Sequence, residues 1–310
     1  VYREAKERIR SLLQSSVDFN YPEEGPVDES WYWASLALLD NHYYKKPVRS
    51  WLAEDNEKLS WKSLIKGKRG DEEDTKYTEH AQRFTDYFFA PKNLGRPPKY
   101  LLDVLTKMAL ASPSITALRS LSLKLSKEAA TKPIVLFSAA RIAVGFRTLY
   151  NLPDSIALIR GIKKKEPYWE RVLEYGAFGN LQAVMDEYIH VLFESQGLMG
   201  KSVEEVSLSL AEAIFAAVSI RTTRSDFDDI RIRPAKEKIE LIRQSLRCRY
   251  ALRFTESKND EDDEVTREDQ VRTAFNSPFR PFILATTSIG QEGLDFHQYC
   301  HSIFHWNLPS

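Results

Sequence analysis

Apolar residues recur with the period of an α-helix along most of the chain. Val1–Ser16 places Ile9, Leu12 and Leu13 on one side among arginines, lysines and glutamates. Ser30–Asp40 predicts an aromatic-rich helix carrying Trp31, Trp33, Leu36, Leu38 and Leu39. The charged run from Gly67 to Asp74 reads as a loop. Tyr77–Ala90 returns to helical spacing, with Phe84, Tyr87 and Phe88 at i, i+3 and i+4. Gly95-Arg96-Pro97-Pro98 is a turn before a helix over Lys99–Ala111. Pro113 suits the first position of the next helix, where its missing N–H costs nothing. Asn180 reads as the N-cap of Leu181–Glu194, striped by Leu181, Val184, Met185, Tyr188 and Leu192. Ser202 and Glu205 have capping-box spacing before Val206–Ile220. Residues 1–245 thus predict about ten helices joined by short loops.

The pattern changes near Arg247. Arg247–Thr255 alternates with strand period, Cys248, Tyr250, Leu252 and Phe254 on one side. An acidic loop, Lys258–Glu264, follows. Thr266 and Asp269 can cap a short helix carrying Val271, Ala274 and Phe275. Pro281–Ala285 and Ser302–Trp306 are short continuous apolar runs, as expected of buried parallel strands. The pattern predicts a mainly α chain with a C-terminal α/β part: a helical region over 1–245 and a parallel-sheet domain over 246–310.

Composition narrows the picture. The chain has 310 residues, 43% of them apolar, enough for a packed core. Lys+Arg and Asp+Glu are both 44, so a uniformly basic nucleic-acid binder and an acidic tail protein are both disfavoured. A local basic face stays open. Two cysteines, Cys248 and Cys300, are too few for a disulfide framework and suggest a reducing, cytoplasmic setting. No apolar run approaches the ~20 residues of a membrane span, so no membrane partner is expected. No signal peptide is visible. Val1 at the start, and Leu308-Pro309-Ser310 directly after an apolar run, read as the ends of a piece of a longer protein.

The most informative stretch is Arg267–Ser310. An apolar run leads into Thr286-Thr287-Ser288, then Gly290, Gly293, Leu294 and Asp295. Hydroxyls and glycines at the end of a parallel strand sit where α/β sheets bind ligands. Glycines let a backbone approach phosphate, and exposed N–H groups there bind anions. Thr286–Phe296 (TTSIGQEGLDF) resembles motif V of superfamily 2 helicases and translocases, in the Swi/Snf-like form. Arg267, Val271 and Phe275-Asn276 resemble the helix that precedes motif V in the second RecA-like domain. Cys300–Ser310 resembles the strand and turn leading to motif VI. The match covers about the last sixty residues. The helical part more loosely resembles the linker or insertion region of bacterial helicase-related proteins.

That resemblance implies a partial RecA-like domain of P-loop NTPase type over 246–310. Thr287, Ser288 and Arg267 would meet the nucleic-acid backbone. Gly290, Glu292, Gly293 and Asp295 would lie at the ATP-side cleft, with Gln291 helping to orient the loop. ATP and Mg2+ would be the cofactors of the intact protein. DNA and an N-terminal RecA-like domain would be its partners. The sequence departs from the family in what it lacks. No G-x-x-x-x-G-K-[ST] run and no Asp-Glu acidic box after a strand occur in it. Asp186-Glu187-Tyr188-Ile189-His190 lies inside a helical stripe instead. Phosphoryl transfer depends on those parts, so the chain alone is expected to hydrolyse ATP negligibly.

Other constellations carry two readings each. His297, Cys300, His301 and His305 are close in sequence, as a zinc site would need, but H-x-x-C-H-x-x-x-H matches no common finger, and polar packing is the alternative. Ser219–Phe254 holds ten Lys/Arg against five Asp/Glu, either a phosphate track or the solvated faces of a helix and a strand. Arg141, Arg147, Arg160, Tyr168 and Trp169 could bind nucleic acid, or pack helices with their stems. Trp31, Trp33, Trp51 and Trp61 suit a core or an interface. The rival to a helicase is a non-catalytic helical scaffold that binds another protein.

Overall fold

Ile9 and Leu13, one helical turn apart, are both buried, while Arg10 pairs outward with Glu7 at 2.7 Å. This amphipathic segment is α1 (Tyr2–Ser16), the first of a run of short helices. The computed structural model describes residues 1–16, 22–56, 58–65, 72–161, 167–220, 223–233, 238–248, 270–279, 283 and 298–304. After α1 come α2 (Trp31–Tyr43), α3 (Lys45–Leu52), α4 (Trp61–Ile65), α5 (Glu72–Phe89), α6 (Leu101–Ala111) and α7 (Pro113–Ser122). Next are α8 (Pro133–Tyr150), α9 (Pro153–Arg160), α10 (Tyr168–Phe178), α11 (Leu181–Ser195) and α12 (Val203–Val218). The strands β1 (Thr223–Arg233) and β2 (Lys238–Cys248) follow. The chain divides into two compact units, Val1–Phe215 and Ala216–Ser310.

In the first unit, α1, α2 and α6 share a cluster of Ile9, Leu13, Trp31, Leu101 and Leu105. Lys6 of α1 reaches Asp103 of α6 at 2.5 Å, and the Tyr2 hydroxyl donates to the same carboxylate at 3.0 Å. The opposite side of α2 packs Ala34 and Ala37 against Tyr87 and Phe88 of α5. Each large apolar side chain buried this way contributes about 1.5–3 kcal/mol. Pro113 opens α7 at its first turn, and α6 and α7 meet at a 46° bend. Gly176 of α10 lets that helix approach α6: a Cβ there would lie 3.2 Å from the Ala111 Cβ.

α8 is 18 residues long and, by length and composition alone, apolar enough to cross a membrane. Eight of its residues, including Val135, Ile142 and Phe146, are buried, as in the core helix of a globular unit.

Several expectations are met closely. Ser202 and Glu205 form a reciprocal capping box, each side chain accepting the other's amide at 3.1 Å. α11 begins directly after Asn180, but Asn180 makes no side-chain cap. It occupies the left-handed region at φ 50°, which asparagine tolerates better than most residues. α5 begins at Glu72, inside the run expected to be a loop. Acidic residues favour the first turn of a helix, where they face the positive end of its dipole.

The C-terminal part corrects the expected fold. Among the described residues there is no parallel sheet and thus no parallel-sheet RecA-like domain. The one sheet is the antiparallel β1–β2 ladder, and the one parallel pairing is an isolated bridge between Val27 and Arg96. β1 and most of β2 lie where helix was expected. Ile230 and Ile232, then Ile239 and Leu241, alternate with polar residues, and Pro234 cannot sit in a helix interior. Ile283, Ile303 and Phe304 were expected in buried strands. They lie in no strand and are 84%, 79% and 91% exposed. The rest of the two runs, 281–282, 284–285 and 305–306, lies outside the described residues. The short helix before Pro281–Ala285 is present at 270–275, its Val271 and Ala274 buried with Ile220.

Candidate functional site

Thr287, Ser288, Gly290, Gln291, Glu292, Gly293, Asp295 and Arg267 all lie outside the described residues. So do the acidic loop Lys258–Glu264, His297 and His305. Before the glycine loop the described residues are the exposed Ile283 and, further back, the segment after helix 270–275. There the buried Ser277 hydroxyl donates to the Ala274 carbonyl at 2.7 Å and accepts the Phe279 amide at 3.3 Å. That bond pins the chain as it leaves the helix. Cys300 is half-buried, its thiol 3.6 Å from the Ser302 carbonyl, and His301 is exposed. Among the described residues no group of three His, Cys, Asp or Glu could hold a metal ion.

The cation and aromatic cluster is brought into the helical framework. Arg141 makes two bonds to Glu212, at 2.9 and 3.2 Å, and its guanidinium lies 3.5 Å from the centre of the Phe215 ring. Arg160 sits 5.4 Å from the Tyr168 ring, and the Tyr168 hydroxyl donates to the Tyr150 carbonyl at 2.6 Å. Burial pushes the Tyr150 phenol far up, so it stays neutral. Trp169 meets Tyr32 edge-on at 5.4 Å. These groups join helices. The tryptophans do the same: the Trp31 indole donates to the Gly95 carbonyl at 2.7 Å, Trp33 packs edge-on against His80 and Tyr87, and Trp61 donates to the Leu52 carbonyl at 3.2 Å.

The Asp186–His190 stretch is a strut rather than a catalytic box. Asp186 Oδ1 lies 2.5 Å from the buried Ser120 hydroxyl and accepts Gln182 Nε2 at 2.8 Å. Gln182 also donates to Ser120 Oγ at 2.9 Å. Tyr188 and Ile189 are buried, and His190 Nδ1 lies 2.8 Å from Lys124 Nζ, just past the end of α7. The Ser120 hydroxyl is buried and also bonds the Thr116 carbonyl at 2.9 Å, so the pair is engaged in packing α7 against α11.

Sequence reasoning missed the β1–β2 ladder, which turns the basic segment into a two-stranded ribbon. Its register runs from Thr223 opposite Cys248 to Arg233 opposite Lys238. The available signal was the Ile230/Ile232 and Ile239/Leu241 alternation on either side of Pro234.

No family model, no curated protein and no solved structure matches this chain.

Proposed function

We propose that this chain is part of an ATP-dependent superfamily 2 helicase or translocase that acts on DNA in the cytoplasm. The observation that carries the reading is the order of residues in Thr286–Phe296: hydroxyls, then glycines, then an acid, after an apolar run. Thr287 and Ser288 supply neutral donors for phosphate oxygens. Gly290 and Gly293 permit close backbone approach, and Asp295 can accept from a ribose hydroxyl. Arg267 adds a cation from the segment before the loop. In such a motor ATP and Mg2+ supply the chemical step. The described residues include no cluster fitted to hold Mg2+, and no hydrolytic step is assigned to them.

The test is DNA binding by the chain as a function of salt, with Thr287→Ala and Ser288→Ala compared. Loss of one phosphate hydrogen bond is expected to weaken binding roughly fivefold, about 1 kcal/mol. Unchanged binding in both variants would overturn the assignment of this loop to the DNA track.

A second reading, a helical scaffold that binds another protein, is favoured by one feature. Arg141, Arg160 and Trp169, the groups best suited to hold nucleic acid, are engaged in joining helices. It predicts no salt-dependent DNA binding at all.

A further inference from the structure

The connection between α5 and α6 begins and ends on an exposed ring. Phe89, the last residue of α5, is 51% exposed, and Tyr100, directly before α6, is 62% exposed. Between them Lys92, Arg96 and Lys99 are all exposed. Three more exposed cations come from α3, where Lys45, Lys46 and Arg49 lie on one side of the helix. The Arg49 guanidinium sits 5.9 Å from the centre of the Phe89 ring, and Asn41 Nδ2 donates to the Phe88 carbonyl, so the two segments meet. Lys99 sits 5.5 Å from the centre of the Tyr100 ring. Residues 41–53 and 87–102 contain no Asp or Glu. None of the six cations has an ion-pair partner among the described residues, whereas Lys6, Arg141 and Arg171 each hold a carboxylate.

We propose that the α5–α6 connection and the basic side of α3 form a track for a single strand of DNA, with Phe89 and Tyr100 as stacking platforms and the cations on its phosphates. The track rests on the DNA reading above and gives it a second contact, in the helical unit. Unpaired like charges gathered on one surface repel one another, and a polyanion relieves that repulsion. An exposed ring suits an unstacked base, because every base has a face to offer it. A duplex keeps its bases stacked inside and cannot use the rings. An anionic lipid surface would meet the cations but also needs a continuous apolar face. α3 spends its apolar side, Val48 and Leu52, on the cluster around Phe88, and the two rings stand at opposite ends of the connection.

The backbone of the track is already fixed. The Arg96 amide donates to the Pro26 carbonyl at 3.0 Å, and the Arg96 carbonyl accepts the Asp28 amide at 2.9 Å, which makes the Val27–Arg96 bridge. Pro91, Pro97 and Pro98 each lock a φ angle. A connection held this way loses little entropy on binding, as suits a binding loop carried by a rigid scaffold.

The experiment uses the full chain and a labelled oligo(dT) of about 16 nucleotides, read by fluorescence anisotropy against salt. Phe89→Ala and Tyr100→Ala are each expected to weaken binding about tenfold. Lys92→Gln, Arg96→Gln and Lys99→Gln together are expected to lower the log–log salt slope by up to about 2. Phe89→Tyr and Tyr100→Phe keep a ring and should keep the affinity, which separates lost stacking from lost folding. The track is overturned if the chain does not bind the strand, if the triple variant keeps the original slope, or if both alanine variants bind undiminished. It is also overturned if the same strand paired with oligo(dA) depends equally on Phe89 and Tyr100, or if phosphatidylserine vesicles, and not the strand, respond to these changes. Loss with Thr287→Ala and Ser288→Ala but not with the track variants overturns the track and leaves the loop reading standing. The reverse pattern supports the track and overturns the loop reading.

Discussion

The carboxylate of Asp28 accepts the amide of Gly95, 67 residues further along the chain, at 3.2 Å. The same carboxylate accepts the Ser30 amide at 2.9 Å just before α2, and the Ser30 bond is the main cause holding Asp28 below its usual pKa. The Asp28 amide donates to the Arg96 carbonyl, the Arg96 amide donates to Pro26, and Trp31 donates to Gly95. This knot fixes the entry to α2 against the turn before α6. A Cβ on Gly95 would lie 2.8 Å from the Pro26 carbonyl oxygen and 3.1 Å from the Asp28 Cβ. The first of these is backbone and cannot swing aside. Gly95→Ala is expected to destabilise by about 1–3 kcal/mol, the usual range for overpacking a tight site. Urea unfolding of the purified chain measures it.

Gly176 is a milder case that sets the scale. Its Cβ would meet the Ala111 Cβ at 3.2 Å and the Ala111 carbonyl at 3.4 Å, tight contacts but not overlaps. Alanine in a helix interior gains about 0.8–1 kcal/mol over glycine. That gain offsets most of the crowding, so Gly176→Ala should be close to neutral and clearly milder than Gly95→Ala. Ala111→Gly in the same chain removes the contact, and the double variant should show coupling in a mutant cycle.

How much was legible in the sequence follows from which forces are local. The Ser202–Glu205 box and Pro113 at the start of α7 depend on residues within one turn, and both are present. Stripes such as Ile9/Leu13 and Met185/Tyr188/Leu192 mark buried faces because helical period is a local property. The Asp28–Gly95 knot was invisible, because nothing local links positions 67 residues apart. The strands failed for a related reason. Composition marks Ile283, Ile303 and Phe304 as buried strand positions, yet all three are exposed, because burial of a strand depends on neighbours that composition does not supply. β1 was missed because its polar positions, Arg224, Asp226 and Asp228, mask the alternation until Ile230. Of the candidate site, the chemistry of Thr286–Phe296 is legible as residue order, while its geometry falls outside the described residues.

The strut between α7 and α11 predicts a measurable loss. Asp186 holds Ser120 and Gln182 at 2.5 and 2.8 Å, and its charge opposes the desolvation that lowers the pKa of the nearby Arg119. Arg119 donates in turn to the Ala109 carbonyl near the end of α6. Asp186→Ala removes one acceptor that the Ser120 hydroxyl and the Gln182 amide share and leaves them the Thr116 carbonyl, at 2.9 and 3.3 Å, so the cost is about 0.5–1.5 kcal/mol. Asp186→Asn keeps an acceptor and should lose less. If the stretch were a catalytic box, the two variants would be equally inactive in any assay and equally stable. Thermal melts of both variants separate the cases.

Asp40, on α2, gives the pH dependence its sign. It is half-buried, and no hydrogen bond or ion pair to its carboxylate is found among the described residues. Burial pushes its pKa up from 3.8 to about 6. A carboxyl with a raised pKa binds its proton more tightly in the folded state than in the unfolded one. Its favourable contribution is complete below the unfolded pKa near 4 and is lost as pH rises through the folded value near 6. Stability from this group therefore falls between about pH 4 and pH 6, the opposite of the trend from Asp28, whose lowered pKa stabilises the fold only above the unfolded value. Asp40→Asn removes the charge and keeps the shape. At pH 7 it is expected to raise stability by about 2–3 kcal/mol, the equivalent of roughly two pKa units. At pH 4 the gain should shrink toward zero. Urea midpoints of wild type and Asp40→Asn at the two pH values test this, and an equal gain at both would show that the carboxylate is not the cause.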